Sequence, residues 1–568
     1  MQYDLIIRNG TVVDGSGLPR YRADVGIVHG QIAAIGWLNA AAKETLDAEG
    51  HVVAPGFVDG HTHMDAQVNW DPLGTCSCWH GVTSVVMGNC GFSLAPCAEA
   101  HNDLVMRNLE RAEDISPQAM AAGIKWTWET FPEYLDTVDR LPKGINYAAY
   151  VGHSALRTYV MGERAFDEAA TAEDIEHMQR HVRDAIRAGA MGFTTSRSQS
   201  HRTPNGAPVA SRLAAWDEVR QLVGAMGEMG AGVFEIANEN PKTPEDLEDY
   251  LSRLRDLAVD TGVPITYGQF GRRNGPQTWR SFLATADETA AAGGRMFVQV
   301  HSRALNLVLS FETHMPYDKL PVWRDVRQLS LGEQEAALRD PEMRRRLIES
   351  AHGQADDGGH GIGPEARSAN YDHLFVMNSG LTPHRSVAAV AKERNQDPVE
   401  TVMDLALEKG MKQCFLQPIA NENEEHALEM IRHPRTVVTF SDSGAHVSQI
   451  MDASLQTHLL GYWVRERQEL TLEDAVRQVT FVPASYWGMH NRGLLRTGYA
   501  ADVVVFDPET VAPMLPEVVN DLPAGARRLK QKSTGIKATV VNGEVLMRDN
   551  EHTGALPGQL IRGPLARA

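Results

Sequence analysis

Pro55-Gly56-Phe57-Val58-Asp59-Gly60-His61-Thr62-His63 closes a short apolar run with a His-x-His pair. Side chains two apart on a strand point to the same face, so His61 and His63 can meet one ion without any bend in the backbone. Two later segments end in the same manner. Gly81-Val82-Thr83-Ser84-Val85-Val86-Met87-Gly88-Asn89-Cys90-Gly91 is a β-branched run that delivers a thiol at its C-terminal end. Arg435-Thr436-Val437-Val438-Thr439-Phe440-Ser441-Asp442-Ser443-Gly444 is an apolar strand that delivers a carboxylate.

Between these segments strands alternate with helices. Thr171 is placed to cap a helix whose apolar residues Ile175, Met178, Val182 and Ile186 share a face, and Gly189 ends it before a strand at Met191–Thr195. Trp216, Val219, Leu222, Val223 and Met226 mark the next helix, and Thr243-Pro244-Glu245 opens another. Strands are expected near 57–63, 82–87, 146–152, 191–195, 232–237, 263–269, 295–300 and 436–441. Eight such strands specify an α/β fold, a TIM-like (β/α)8 barrel, with its site at the C-terminal face where His61, His63, Cys90 and Asp442 fall.

Both chain ends have a different texture, short strands separated by turns, with Asn-Gly hairpin signals at 9–10 and 542–543. They are expected to form one small discontinuous β-sandwich domain from 1–55 and 485–568, leaving 56–484 as the barrel. The segment from about 302 to 375 is too long for one strand-to-helix connection and includes the Gly-rich stretch Ala355-Asp356-Asp357-Gly358-Gly359-His360-Gly361. It is expected to be an inserted helical cap over the catalytic face.

With these pieces in hand the chain resembles the amidohydrolase superfamily, and within it the D-aminoacylase (N-acyl-D-amino-acid deacylase) group. The matching residues are Pro55–His63 with Asp65, Gly88–Pro96, Val151-Gly152-His153-Ser154-Ala155-Leu156-Arg157, Gly189–Thr195 and Ser441-Asp442-Ser443-Gly444, in the order of that group. The Gly-Asn-Cys element is particular to it. The resemblance implies a zinc-dependent hydrolase that cleaves an amide C–N bond of an N-acyl amino acid or related small molecule. His61, His63 and Asp442 would hold the metal and Cys90 would hold or bridge it. Asp442 would double as general base, taking a proton from the attacking water and passing it to the leaving nitrogen. His153, within a shared motif, would donate to the oxyanion or support the site, and Asp65 would orient it.

Two departures from the group bear on chemistry. The histidines that relatives carry at the ends of the fifth and sixth strands are absent, and Glu235 and Gln269 are expected in their places. Glu235 can ligate zinc through oxygen whereas a neutral amide is a poor ligand, so one ion is expected rather than two. The arginine that grips an amino-acid carboxylate shortly after the catalytic Asp is also missing from His446–Ala453. Arg197 or Arg303 could replace it from other loops. A cyclic amide or a lactone, which needs no such anchor, therefore stays open as substrate. A metal-free barrel serving as a binding or assembly protein is the competing class, because loss of two ligand histidines is what that history would leave.

Composition fits a cytoplasmic enzyme acting on a small molecule, with a homo-oligomer left open as its assembly. The balance of 54 Lys+Arg against 73 Asp+Glu, −19 overall, argues against nucleic acid or an anionic membrane as partner. No run reaches the roughly 18 apolar residues that span a bilayer, and without a basic opening segment no signal peptide is expected. Five cysteines are too few for a disulfide scaffold, and Cys76 and Cys78 are expected to be buried thiols.

Overall fold

The computed structural model describes residues 2–273, 277–353 and 368–566 of the chain. The strands expected between the chain ends all form, as Phe57–Asp59, Val82–Met87, Asn146–Ala149 continued by Val151–Gly152, Gly192–Ser196, Val233–Ala237, Ile265–Gly268, Met296–Val300 and Thr436–Val438. Each pairs in parallel with the next, the ladder being interrupted only at Tyr150 inside the third strand. A parallel bridge between Thr62 and Ser443 joins the end of the last strand to the end of the first. The strands are almost wholly buried, which parallel sheets covered by helices require.

The helices begin and end where their capping residues put them. Thr171 and Thr243 each close a capping box with the Asp three residues on, at the starts of Ala172–Ala188 and Pro244–Thr261, and Gly189 ends the first of these at φ 111°. Met178, Val182 and Ile186 are buried on the face turned to the strands.

The two chain ends share one sheet of nine strands, in which Val52–Pro55 runs antiparallel to Val503–Phe506. Leu5, Ile7, Val25, Val503 and Val540 form its apolar core. Asn542-Gly543 is the hairpin turn that the dipeptide predicts, between Ile536–Val541 and Glu544–Arg548. Asn9-Gly10 is not a turn: the strand Tyr3–Val12 runs straight through it, with the register against Tyr21–Val28 shifting at that point. A bulge results because Asp24 and Asp47 hold the Asn9 backbone and side chain at 2.9 and 3.0 Å, and a Cβ at Gly10 would meet Val53 at 2.3 Å.

The insertion is larger than expected. Leu305–Leu309 pairs with Phe415–Ala420 in a four-stranded sheet that also takes in Phe375–Val376 and Arg385–Ser386, so the inserted unit runs to about 420 rather than 375. Its helices at Val387–Arg394 and Pro398–Glu408 pack on the insertion's own core around Trp323, Leu347, Val402 and Phe415. The Gly-rich stretch Ala355–Gly361 lies outside the described residues. Among the described residues no helix is long and apolar enough to cross a membrane.

Candidate metal centre

The ends of the first and last parallel strands are laced together by backbone hydrogen bonds. His63 N–H donates to the Ser443 carbonyl at 2.8 Å and Asp442 N–H to that of His61 at 3.2 Å. Asp442 Oδ1 is thereby set 3.3 Å from His61 Nε2 and 3.4 Å from His63 Nε2. Cys90 Sγ, from the turn after the second strand, lies 3.5 Å from His61 Nε2. Ligand atoms on His61, His63 and Cys90 all fall within 4.8 Å of one another. Donors held about 2.0–2.3 Å from a tetrahedral zinc stand roughly 3.3–3.7 Å apart, a spacing that the Asp442–His61, Asp442–His63 and Cys90–His61 pairs match, while the three-residue cluster within 4.8 Å does not include Asp442.

Backbone strain concentrates here. Cys90 and Asp442 occupy the left-handed region at φ 56° and 51°, and Phe440 and His446 do so at 88° and 48°. Such conformations cost a non-glycine residue about 1–3 kcal/mol and persist only where surrounding structure imposes them. Asp65 Oδ2 accepts the Gly88 N–H at 2.8 Å and Glu235 Oε2 accepts the Cys90 N–H at 2.7 Å, which together pin the turn that presents the thiol. On the far side, Gln299 Oε1 accepts from His61 Nδ1–H at 2.6 Å, leaving the Nε2 lone pair for a cation.

Charge is poised for a cation as well. Burial opposes the Asp442 carboxylate, but the His63 hydrogen bond and the neighbouring imidazoles outweigh it and hold its pKa at about 2. Burial pulls His61 down to about 4. Burial also opposes a charge on His63, yet Glu113 and Asp442 push it up to about 9. The carboxylates that keep a proton there would favour a metal ion in its stead. Burial, with Glu235 beside it, keeps the Cys90 thiol well above its usual range, and burial raises Glu235 itself to about 8.

Other expected residues are placed differently. Glu235 reaches the centre through Cys90, its Oε1 standing 4.0 Å from Sγ. Gln269 does not join it: its side-chain amide donates to the Phe270 carbonyl, and the sixth-strand residue beside Glu235 in the register is Thr266, whose Oγ1 accepts from Gln299. His153 has both ring nitrogens engaged, Nδ1 with Thr195 at 2.8 Å and Nε2 with Glu218 at 2.9 Å, and Arg157 shares that glutamate. Its ring therefore has no free nitrogen for an oxyanion in this arrangement. Arg197 is tied to Glu239 and Ala214, and Arg303 to Asp452 and Met451. His301 Nε2 lies 3.6 Å from Asp452. Cys76 and Cys78 are buried thiols.

Three functional candidates carried no signal in the sequence. Gln299 is one. Glu113, in the segment after the helix Asn102–Leu109, puts Oε2 3.6 Å from His63 Nε2 and 3.8 Å from His446 Nε2, with Oε1 buried and unpartnered. His201, in the loop after the fourth strand, packs against Phe92 at a tilt, and burial together with the charges of His63 and His446 pulls its pKa down to about 3. Only their neighbours, remote in sequence, distinguish these three from any other polar residue.

The model of the amidohydrolase family that is described as Amidohydro_3 matches residues 44–547. This chain belongs to the amidohydrolase family. Within it, the D-aminoacylase of Alcaligenes xylosoxydans xylosoxydans is 28% identical over 98% of this amidohydrolase and 97% of the relative. The N-acyl-D-glutamate deacylase of the same organism is 29% identical over 95% and 93%. Among solved structures, the N-acyl-D-glutamate deacylase of Bordetella bronchiseptica, complexed with zinc and a phosphonate mimic of the tetrahedral intermediate, superposes with a TM-score of 0.67 at 26% identity. That likeness covers 99% of this chain and 100% of the other. The amidohydrolase is thus grouped with the D-aminoacylases, as its motifs imply.

Proposed function

We propose that this amidohydrolase is a zinc-dependent hydrolase that cleaves the amide C–N bond of an N-acyl amino acid or a related small amide. The observation that carries this is the approach of Asp442 Oδ1 and Cys90 Sγ to the paired imidazoles of His61 and His63, 3.3–3.5 Å from a neighbouring donor. The relatives named for deacylation of N-acyl-D-amino acids, and a neighbour that binds zinc, support the same reaction. A bound zinc ion supplies Lewis acidity toward a carbonyl and draws the pKa of water toward ~7.

The protein's own groups do the rest. His61, His63, Cys90 and Asp442 would hold the ion. Asp442, ionised at neutral pH, takes a proton from the attacking water and passes it to the departing nitrogen. Glu235 holds the Cys90 turn through its backbone N–H. One ion suits the site better than two, because Glu235 Oε2 is already engaged and Thr266 offers no imidazole on the sixth strand.

The parallel order of the strands and the Thr62–Ser443 bridge support a closed (β/α)8 barrel over 56–484. The shared nine-stranded sheet supports a separate β-domain from 1–55 and 485–568. Five unpaired thiols suit a reducing compartment such as the cytoplasm.

A second substrate class is favoured by one observation. Arg197 and Arg303 are both spent on internal partners, so a substrate without a free carboxylate, a cyclic amide or a lactone, would lose nothing here. The test is a panel of N-acyl-D- and N-acyl-L-amino acids, aryl amides, hydantoins and lactones, offered to protein stripped by chelation and reloaded with zinc. Restored hydrolysis of an amide supports the proposal. A zinc-loaded protein inert toward all amides, or Asp442→Asn as active as the parent, refutes it.

A further inference from the structure

His201 is anchored beside the metal turn by two independent contacts. Its ring packs against Phe92 with centroids 5.2 Å apart and planes tilted by 56°, and the Phe92 ring in turn has its centroid 6.4 Å from that of His63. Its Nδ1 lies 2.7 Å from Ser196 Oγ, at the last residue of the fourth strand. That strand end touches the metal turn directly, since a Cβ at Gly91 would stand 2.9 Å from Ser196 N. The backbone of the loop is fixed too, with the Arg212 guanidinium donating to the His201 carbonyl at 3.0 Å.

The hydrogen bonding assigns the tautomer. Ser196 is fully buried, and its Oγ accepts the Ser198 N–H at 3.2 Å. A buried hydroxyl proton needs an acceptor, and among the described residues the only acceptor within reach is His201 Nδ1. With Nδ1 accepting, the neutral ring carries its proton on Nε2, which has no partner among the described residues. A neutral N–H donor held rigidly next to a metal turn suits stabilisation of negative charge that develops on a carbonyl oxygen.

We propose that His201 is a catalytic residue whose Nε2–H donates a hydrogen bond to the scissile carbonyl oxygen of the substrate as that oxygen becomes negative. The inference rests on the amide hydrolysis proposed above and supplies the oxyanion donor that His153, with both nitrogens engaged, does not. No proton leaves His201 in this role, so the ring stays neutral throughout.

The test compares His201→Ala and His201→Gln with the parent, each loaded with zinc, on the best amide of the panel, together with 15N spectra of imidazole-labelled, metal-free protein. Expected are a kcat reduced about 10²–10³-fold in His201→Ala with KM and zinc stoichiometry unchanged, partial recovery in His201→Gln, and a neutral, Nε2-protonated ring in the spectrum. An active parent with an undiminished His201→Ala, or a ring protonated on Nδ1, overturns the assignment of His201 alone. A zinc-loaded parent inert toward every amide overturns the hydrolytic proposal and this inference together.

Discussion

Gln299 Oε1 accepts the His61 Nδ1–H at 2.6 Å, and the same side chain donates through Nε2 to Thr266 Oγ1 at 3.1 Å. One amide thus fixes both the tautomer and the tilt of the imidazole proposed as a metal ligand, and is itself fixed by the neighbouring strand. Partners of this kind typically contribute 10–100-fold to metal affinity. Gln299→Ala should therefore weaken zinc binding by about that factor in a competitive chelator titration. Unchanged affinity would show that His61 is oriented by packing alone.

Glu113 sits between His63 and His446 with one carboxylate oxygen unpartnered. Burial opposes a charge on His63, and the Glu113 carboxylate is the strongest influence that outweighs it, raising His63 to about 9. At pH 7.5 the metal-free protein therefore carries a proton on His63, and another on the Cys90 thiol, whose pKa burial also raises. Both must leave when zinc enters, so roughly two protons should be released per ion. Both pKa values lie above the working pH, so affinity rises with pH until they are passed. Calorimetry in buffers of differing ionisation enthalpy measures the release. Cys90→Ser should lose one proton, and Glu113→Gln should reduce the contribution of His63.

The buried trio of His153, Arg157 and Glu218 is predicted to support the fold rather than the chemistry. Arg157 and Glu218 are 0% and 2% exposed at the side chain and meet at 2.5 Å. Removing one member of a buried pair strands the other charge, at a cost of about 3–5 kcal/mol. Glu218→Ala should lower the melting temperature markedly while the zinc stoichiometry of the folded fraction is retained. A variant of parental stability that fails to bind zinc would place His153 at the site after all.

The contrast between these residues shows what the chain made legible. Strands such as Val82–Met87 and Thr436–Val438 announce themselves by β-branched runs, and helices by Thr171 and Thr243 at their starts. The ligand types at strand ends follow from the same pattern, which is why His61, His63, Cys90 and Asp442 could be chosen. Gln299, Glu113 and His201 could not, because their roles depend on remote neighbours, His61 and Gln299 for instance lying 238 positions apart. Asn9-Gly10 misled for a related reason: Asp24 and Asp47 turn a hairpin dipeptide into a bulge. The insertion's reach to Ala420 was hidden because its amphipathic helices have the same period as those that cover the parallel strands.

Asp65 gives a further test of how the thiol is presented. Its Oδ2 is the acceptor for Gly88 N–H, two residues before Cys90 in a turn that holds positive φ at Gly88, Cys90 and Gly91. Asp65→Ala leaves that N–H buried without a partner, at a cost of about 1–3 kcal/mol. Cys90 should become measurably reactive toward a thiol reagent in the metal-free variant, where the parent thiol is shielded. Equal labelling rates would show that Glu235 suffices to hold the turn.

The most direct measurement is anomalous diffraction at the zinc edge from crystals of the zinc-loaded protein. A single peak within about 2.0–2.3 Å of His61 Nε2, His63 Nε2, Cys90 Sγ and an Asp442 oxygen is the predicted result. A map with no peak among those four side chains, or with its zinc bound elsewhere, would contradict the metal centre and the hydrolysis built on it.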